Sequence, residues 1–485
     1  MDAFRETPLA SEEFLRCTVV LLLIKFVSDL ARDKSVLKTE DWRPVWHELV
    51  VPPELSWDEL RSRSGDSSLV LLDRYLREIY QCNKNLLGHD SGFFQFDHAL
   101  SRSMGHIQGK VLDRASEIDL RPSRFSNMDD LYGLIERLLL RFAFRMGAYG
   151  PEYYVPNSLS TLLAKLMAPQ PGEDILDPAC GSGFLLTSLA KQAGLSCGKI
   201  LGQDRGGSTV HLCRINMLFQ GIKASRLELA DPLTSPMLSA PGELLKADVI
   251  VGNPPFGLRF DKQYMYGRPE LFMCGLGPRS RSEYMYLAHM LQVAREGRGR
   301  IGIIIPHGVL FGKEGEAFRK WLVESNLIVA VIDLPPKLFH NTKIPVAILI
   351  IDKGKKRNDY LFIDASRVFE AEGRLNKLPD REAQKIVEIF GSYADLSGFS
   401  CCVNLNAIRS LGYQLSVPLY VEPRSKEELP QDIDEISEEI RKIEEELAMV
   451  QEEIGQSVRR LDSNFDVIAR RSLPHRRRSG KKSAP

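Results

Sequence analysis

Residues 174–186, Asp174-Ile175-Leu176-Asp177-Pro178-Ala179-Cys180-Gly181-Ser182-Gly183-Phe184-Leu185-Leu186, read as a short apolar strand, a glycine-rich turn and the start of a helix. Gly181 and Gly183 let a ligand approach the backbone closely, because glycine carries no side chain to hold it off. The turn is not a full dinucleotide fingerprint, since no third glycine falls in register, and no Gly-Lys-Ser/Thr follows to make a phosphate loop. Asp177, just ahead of the turn, would repel a diphosphate and welcome an ammonium. A second strand, Ile200-Leu201-Gly202-Gln203-Asp204, ends on an acid at the spacing of a ribose acceptor. A third acid, Asp231 in Leu229-Ala230-Asp231-Pro232-Leu233, is placed to accept from an adenine amino group. Each acid alone is an ordinary turn residue. Three acids after successive strands, with no phosphate site, point to S-adenosylmethionine, which carries an ammonium, a ribose and an adenine but no phosphate.

Outward from this stretch, over residues 149–363, short β-rich runs alternate with helical ones. Helices are expected at 159–167, 185–192, 210–220 and 282–296. That alternation predicts an α/β fold, a doubly wound and mostly parallel Rossmann-like sheet. Ligands of such sheets bind beyond the carboxyl ends of the strands, where all three acids fall. A further apolar run, Ala247-Asp248-Val249-Ile250-Val251-Gly252, leads into Asn253-Pro254-Pro255-Phe256. The Asn253 side-chain oxygen and the Pro254 carbonyl are two acceptors on a turn stiffened by two prolines. They suit an exocyclic amino group on a planar base, whose lone pair is delocalised and must be localised on nitrogen before it can attack. Phe256 offers a face on which a flipped base can stack. The plainer reading is a strand-to-loop turn punctuated by prolines.

With these motifs quoted, the chain resembles a γ-class amino-methyltransferase of DNA, specifically the modification (M) subunit of type I restriction-modification systems. Glu152-Tyr153-Tyr154-Val155-Pro156 stands where that family has a Phe-Tyr-Thr-Pro-like segment closing the cofactor pocket, with Val155 in place of the usual Thr. Arg205-Gly206 replaces a common Asn-Pro, and Asp204 a common Glu. The runs Arg300-Ile301-Gly302-Ile303-Ile304-Ile305-Pro306-His307-Gly308-Val309-Leu310-Phe311 and Val331-Ile332-Asp333-Leu334-Pro335-Pro336-Lys337-Leu338-Phe339 resemble the family's later strands and loops. The resemblance implies N6-adenine methylation of double-stranded DNA. It assigns Asn253, Pro254, Pro255 and Phe256 to the target base, and Tyr154, Pro156, Asp177, Pro178, Ala179, Gly181, Gly183, Asp204 and Asp231 to S-adenosylmethionine, with no metal. It implies a specificity (S) subunit as partner, with a second M copy and a restriction (R) subunit as further candidates. Similar loops occur in N4-cytosine, RNA-base and protein-glutamine methyltransferases. A non-catalytic DNA-binding scaffold that keeps the fold is a reading of a different class, and the intact cofactor acids argue against it. A fused restriction-modification enzyme would carry an endonuclease or helicase motif, and the sequence shows neither.

Lys+Arg and Asp+Glu both number 64 among 485 residues, so a DNA enzyme of this composition must concentrate positive charge locally or borrow it from a partner. The eight cysteines form no C-x-x-C pair, which indicates neither a zinc site nor a disulfide framework. The apolar run 18–26 is short and broken by Lys25, so no membrane span, no signal peptide and a cytoplasmic location are expected. Residues 1–148 read as a helical domain. Its strong periodic segments are 14–27 and 128–145, the latter with Arg137, Arg141 and Arg145 on one side. Trp42, Trp46 and Trp57 are expected in a core or interface. The catalytic domain spans 149–400. Its loop 257–281 is expected to be a lid, with Arg259, Arg268, Arg279 and Arg281 available for phosphates. A connecting segment, 401–430, leads to a helix over 431–465. There Ile433, Ile436, Ile440, Ile443, Leu447, Val450, Ile454, Val458 and Leu461 make an apolar seam for a partner helix. The tail 466–485 is basic and expected to be disordered.

Overall fold

The computed structural model describes residues 11–33, 48–62, 69–87, 113, 115–125, 130, 133, 137, 154–258, 281–339, 342, 344–373 and 375–422. The chain divides into two units, Met1–Glu422 and Pro423–Pro485, and the described residues all belong to the first. The expected seam and tail, most of the lid, Trp42, Trp46, Arg141 and Arg145 lie outside the described residues.

Thirteen strands are described: β1 (Ile175–Asp177), β2 (Ile200–Asp204), β3 (Arg226–Leu229), β4 (Leu238–Ala240), β5 (Glu243–Leu244), β6 (Val249–Gly252), β7 (Arg300–Pro306), β8 (Ile328–Asp333), β9 (Val346–Asp352), β10 (Asp359–Asp364), β11 (Glu370–Glu372), β12 (Leu375–Lys377) and β13 (Ser400–Asn404). Nine of them form one sheet in the order β13-β10-β8-β9-β7-β6-β1-β2-β3. The run β3-β2-β1-β6-β7 is parallel throughout, as is β8 beside β10. β9 lies antiparallel between β7 and β8, and β13 closes the edge antiparallel to β10. The doubly wound, mostly parallel sheet read from the sequence is therefore present. The antiparallel β9 departs from that pattern: after β8 the chain doubles back and fills the place between β8 and β7. Two small hairpins, β4–β5 and β11–β12, stand outside the sheet.

Both faces of the sheet are covered, which is why its strands are apolar in both phases. Side chains alternate across a strand. Leu176, Ile250, Ile301, Ile303, Leu349 and Ile351 enter one core with the helix Ser282–Val293 and with Phe318, Leu322 and Val323 of the helix Glu316–Glu324. Ile175, Val249, Val251, Ile304, Ile348 and Ile350 enter the other, with the helices Asn157–Met167, Phe184–Gln192, Gly207–Phe219 and Asp380–Ser392. In Asn157–Met167 the apolar residues 159, 162, 163, 166 and 167 recur at helical spacing, and Ala168 ends the helix in the left-handed region at φ 40°. The helix expected over 282–296 stops at Val293. There the chain turns away to bond Ala247, whose N–H donates to Val293 O at 2.9 Å and whose carbonyl accepts from Arg295 N at 3.0 Å.

At the amino ends of β1 and β6 an ion-pair network ties strand to helix. Arg295 bonds both Asp174 (2.6 Å) and the buried Asp248, and Arg298 forms an ion pair with Asp248 at 2.9 Å. In the N-terminal region the helix Ser11–Arg32 is buried along residues 21–30. Lys25, which breaks the apolar run, lies inside it and is paired with Asp29. Asp29 also accepts from Leu120 N at 2.9 Å, and Ser28 accepts from the N–H of the buried Trp57 at 3.0 Å. Phe26 packs on Phe219 with ring centroids 5.3 Å apart, which docks this helix onto Gly207–Phe219.

Candidate active site

β1 is the strand at which the sheet order reverses, since β2 and β3 follow on one side and β6 and β7 on the other. Asp177 ends β1 and is buried. Its Oδ1 accepts from Ala179 N at 2.9 Å, while its Oδ2 is buried with no hydrogen-bond partner. Burial pushes its pKa up to about 8, with the nearby Asp204 charge adding to the rise and the Ala179 amide opposing it. The turn that follows uses both glycines at positive φ, 51° at Gly181 and 83° at Gly183. A Cβ at Gly183 would sit 2.7 Å from Cys213 Sγ, so no side chain fits there.

Asp204 ends β2 and turns back to the same loop. Its Oδ2 accepts from Gly181 N at 3.1 Å and its Oδ1 from Gly206 N at 2.8 Å. Burial raises its pKa despite both amides. Asp231 lies two residues beyond β3 and accepts from Leu233 N at 2.9 Å. Its charge acts on Asp204, so the three acids expected from the sequence do share one neighbourhood. Pro178 and Ala179 are buried in the turn. Tyr154 meets Phe184 edge-on at 5.2 Å, beside the exit of the glycine turn, and the Pro156 carbonyl accepts from Leu159 and Ser160 at the start of the next helix.

Asn253 and Pro254-Pro255 are buried just past β6, the parallel neighbour of β1. The two strand ends are close: a Cβ at Gly252 would lie 3.8 Å from Asp177 Oδ1. Phe256 is half-buried and meets Phe339 edge-on, with ring centroids 6.4 Å apart. Ser282 Oγ donates to Pro255 O at 2.6 Å, and Glu283 Oε1 accepts from Gly257 N at 2.8 Å.

Several residues of this region are given no site role by the sequence. Tyr286 is buried, and burial together with Asp231, Asp204 and Asp177 holds its hydroxyl pKa well above the usual range, so it stays neutral. His307 follows β7 and lies 3.3 Å from Asp333 at the end of β8. Burial lowers its pKa, but Asp333 outweighs that and the net shift is upward. Ser282 and Glu283 open the helix expected over 282–296, but nothing local marks their contact with the loop 253–257. Among the described residues there is no group of three or more His, Cys, Asp or Glu side chains arranged to hold a metal ion, and no helix is long and apolar enough to cross a membrane.

A mostly parallel sheet with a glycine turn at its switch point, three acids around that turn and a proline-rich loop on the adjoining strand defines an α/β protein of the doubly wound class, in which ligands bind at that edge. The chain belongs to the N-6 DNA methylase family, whose model matches residues 126–429. It is 32% identical over 346 residues to the methylase subunit of the type I restriction enzyme MjaVIII of Methanocaldococcus jannaschii, covering 67% of this chain and 58% of that protein. It is 31% identical over 338 residues to the corresponding MpnII subunit of Mycoplasma pneumoniae, covering 66% of this chain and 62% of that protein. The matches thus span less than two thirds of the length of these relatives. Among solved structures, the type I restriction-modification methyltransferase subunit from Streptococcus thermophilus has the same fold. Its TM-score is 0.73 at 24% identity, covering 87% of this chain and 97% of that one.

Proposed function

We propose that this chain transfers a methyl group from S-adenosylmethionine to the N6 amino group of adenine in double-stranded DNA, as the modification subunit of a type I restriction-modification complex. The observation that carries the reading is the adjacency of Asp177 and Asn253, both buried, at the carboxyl ends of neighbouring parallel strands. One can hold a cofactor and the other a base, within reach of each other.

The residues present fit the cofactor. Asp177 Oδ2 is a buried acceptor in need of a donor, which an ammonium supplies. Gly181 and Gly183 take positive φ, which gives the tight turn that brings backbone to the ligand. Each Asp204 oxygen already takes one amide and keeps a second lone pair for a ribose hydroxyl. Asp231 takes the adenine amino group, and Tyr154 and Pro156 border the pocket. The cofactor, when bound, supplies an electrophilic methyl group on its sulfonium. Asn253 and the Pro254 carbonyl accept the two N–H groups of the target amine and hold its lone pair on the nitrogen. Phe256 supports the flipped base. Pro255 keeps the turn rigid, since it has no N–H and a fixed φ. Most of the rate enhancement in such a displacement comes from alignment of the two partners.

Sequence choice is assigned to a specificity subunit docked on the seam 433–461, with a second M copy and a restriction subunit completing the assembly. The domain limits 1–148, 149–400, 401–430, 431–465 and 466–485 go with this reading, with the catalytic sheet carried on to Asn404 by β13, as does a cytoplasmic location, where the DNA is. The test is to purify the chain with whatever assembles on it, supply labelled S-adenosylmethionine and unmethylated DNA, and map the modified bases. N6-methyladenine in one sequence context is expected. No transfer, or transfer to cytosine N4, overturns the proposal.

A further inference from the structure

The loop Asn253-Pro254-Pro255-Phe256 has an unusual mechanical problem. Two successive prolines carry no N–H, so the turn cannot be closed by amide bonds of its own at those positions. Its conformation has to be imposed from outside. The outside contact is the first turn of the helix Ser282–Val293, which lies beyond residues 259–280 in sequence. Ser282 Oγ donates to the Pro255 carbonyl at 2.6 Å, Glu283 Oε1 accepts from Gly257 N at 2.8 Å, and Ser282 N donates to the Leu258 carbonyl at 2.7 Å. The second Glu283 oxygen lies 3.2 Å from Ser282 Oγ, which links the two side chains. Ser282 is 0% and Glu283 1% exposed, so neither is a casual surface contact. Burying a carboxylate is costly unless its oxygens are bonded. Here the amide of Gly257 and the start of a helix, where negative charge is favoured, offset that cost, with the one Ser282 proton given mainly to the nearer Pro255 carbonyl. Among the described residues no donor is bonded to the Pro254 carbonyl.

We propose that Ser282 and Glu283 are positioning residues for methyl transfer. They draw the Pro255 carbonyl and the Gly257 amide toward the helix, and so leave the Pro254 carbonyl turned to the substrate amine beside Asn253. This rests on the functional reading above. It adds that the loop is not preorganised by its own sequence but is held by a helix start far along the chain. Removing either clamp bond lets the turn relax, with no loss of a group that touches cofactor or base.

The test compares wild type, Glu283→Ala, Glu283→Gln and Ser282→Ala in the full chain, purified with its native assembly. The measurements are kcat and KM for both substrates, calorimetric affinity for S-adenosylmethionine, and a thermal melt. Glu283→Ala is expected to lower kcat about a hundredfold, the scale of a misplacement near 1 Å, with cofactor affinity unchanged. Glu283→Gln keeps an acceptor for the Gly257 amide and restores most of the rate. Ser282→Ala loses one hydrogen bond and about tenfold in kcat. A Glu283→Ala enzyme with wild-type kcat overturns the clamp. So does a Glu283→Gln enzyme as slow as Glu283→Ala, or a loss of cofactor affinity and melting temperature in step with the rate, which marks a merely structural role. A wild-type assembly that transfers no methyl group at all overturns the functional reading, and the clamp with it.

Discussion

Asp177 should release a proton when S-adenosylmethionine binds. In the ligand-free chain its buried carboxyl is raised to about 8, so it is protonated at neutral pH. An ammonium at Oδ2 favours the carboxylate, so binding below that pKa expels the proton. The ionised fraction is about 1% at pH 6 and about 9% at pH 7, so affinity should rise roughly ninefold over that unit. The ligand's own amino group stays protonated below about pH 7.7, so the window is free of that titration. Calorimetry at pH 6.5 in buffers of different ionisation enthalpy should report close to one proton released. Asp177→Asn should remove the Asp177 share of the release and weaken binding. Asp204 also has a raised pKa, and the variant separates its share from that of Asp177. The same shift makes a stability statement. The native carboxyl keeps its proton between the ordinary value of 3.8 and about 8, while the unfolded chain loses it. Stability from this group is therefore full below 3.8 and is lost as pH rises through about 8. The ligand-free wild type should lose up to about 1.4 kcal/mol per pH unit relative to Asp177→Asn across that window. Binding at pH 6.5 with no proton released, or parallel melting curves for the two proteins from pH 5 to 8, would refute the reasoning.

Asn253→Ala should abolish methyl transfer while leaving cofactor affinity nearly intact, and Asp204→Ala should weaken cofactor binding, both read by transfer rates beside calorimetry; transfer by Asn253→Ala within about tenfold of wild type sinks its assignment. Gly183→Ala forces a side chain onto Cys213 Sγ at φ 83°, and thermal or urea melts should show a loss of about 1–3 kcal/mol with the glycine turn distorted. Arg295→Ala leaves Asp174 and the buried Asp248 short of a partner, with Arg298 still on Asp248, so a urea melt should lose about 1–3 kcal/mol without a matching change in cofactor affinity. Removing residues from Asp432 onward, or introducing Ile440→Glu with Leu447→Glu, should leave a folded, cofactor-binding core that no longer assembles with its partner on size exclusion; normal assembly with a lowered melting point would show that the seam packs within its own chain.

The parts of this site that local chemistry dictates were legible in the sequence, and the parts that depend on tertiary contact were not. Asp177, Asp204 and Asp231 could be read because each sits just past a strand, and a doubly wound sheet sends all such positions to one edge. Gly181 and Gly183 were readable because a turn with φ of 51° and 83° tolerates little else. The position of Asn253 just past a buried strand was readable from the apolar run that precedes it and the two prolines that follow. By contrast, β9 is as apolar as its neighbours, and nothing in Val346–Asp352 states that it runs antiparallel. Its direction follows from a short return after β8, and only the paired register reveals it. Glu283 is the sharper case. As an acid in the first turn of a helix it looks like an ordinary complement to the helix dipole. What distinguishes it is that its carboxylate is buried against an amide 26 residues earlier in the chain. The two prolines do carry the hint: a turn without its own donors implies an external clamp, but not where in the chain the clamp lies. The proposed preorganisation therefore rests on a pairing between the loop 253–257 and the start of the helix Ser282–Val293, and substitution at either end should be felt at Asn253.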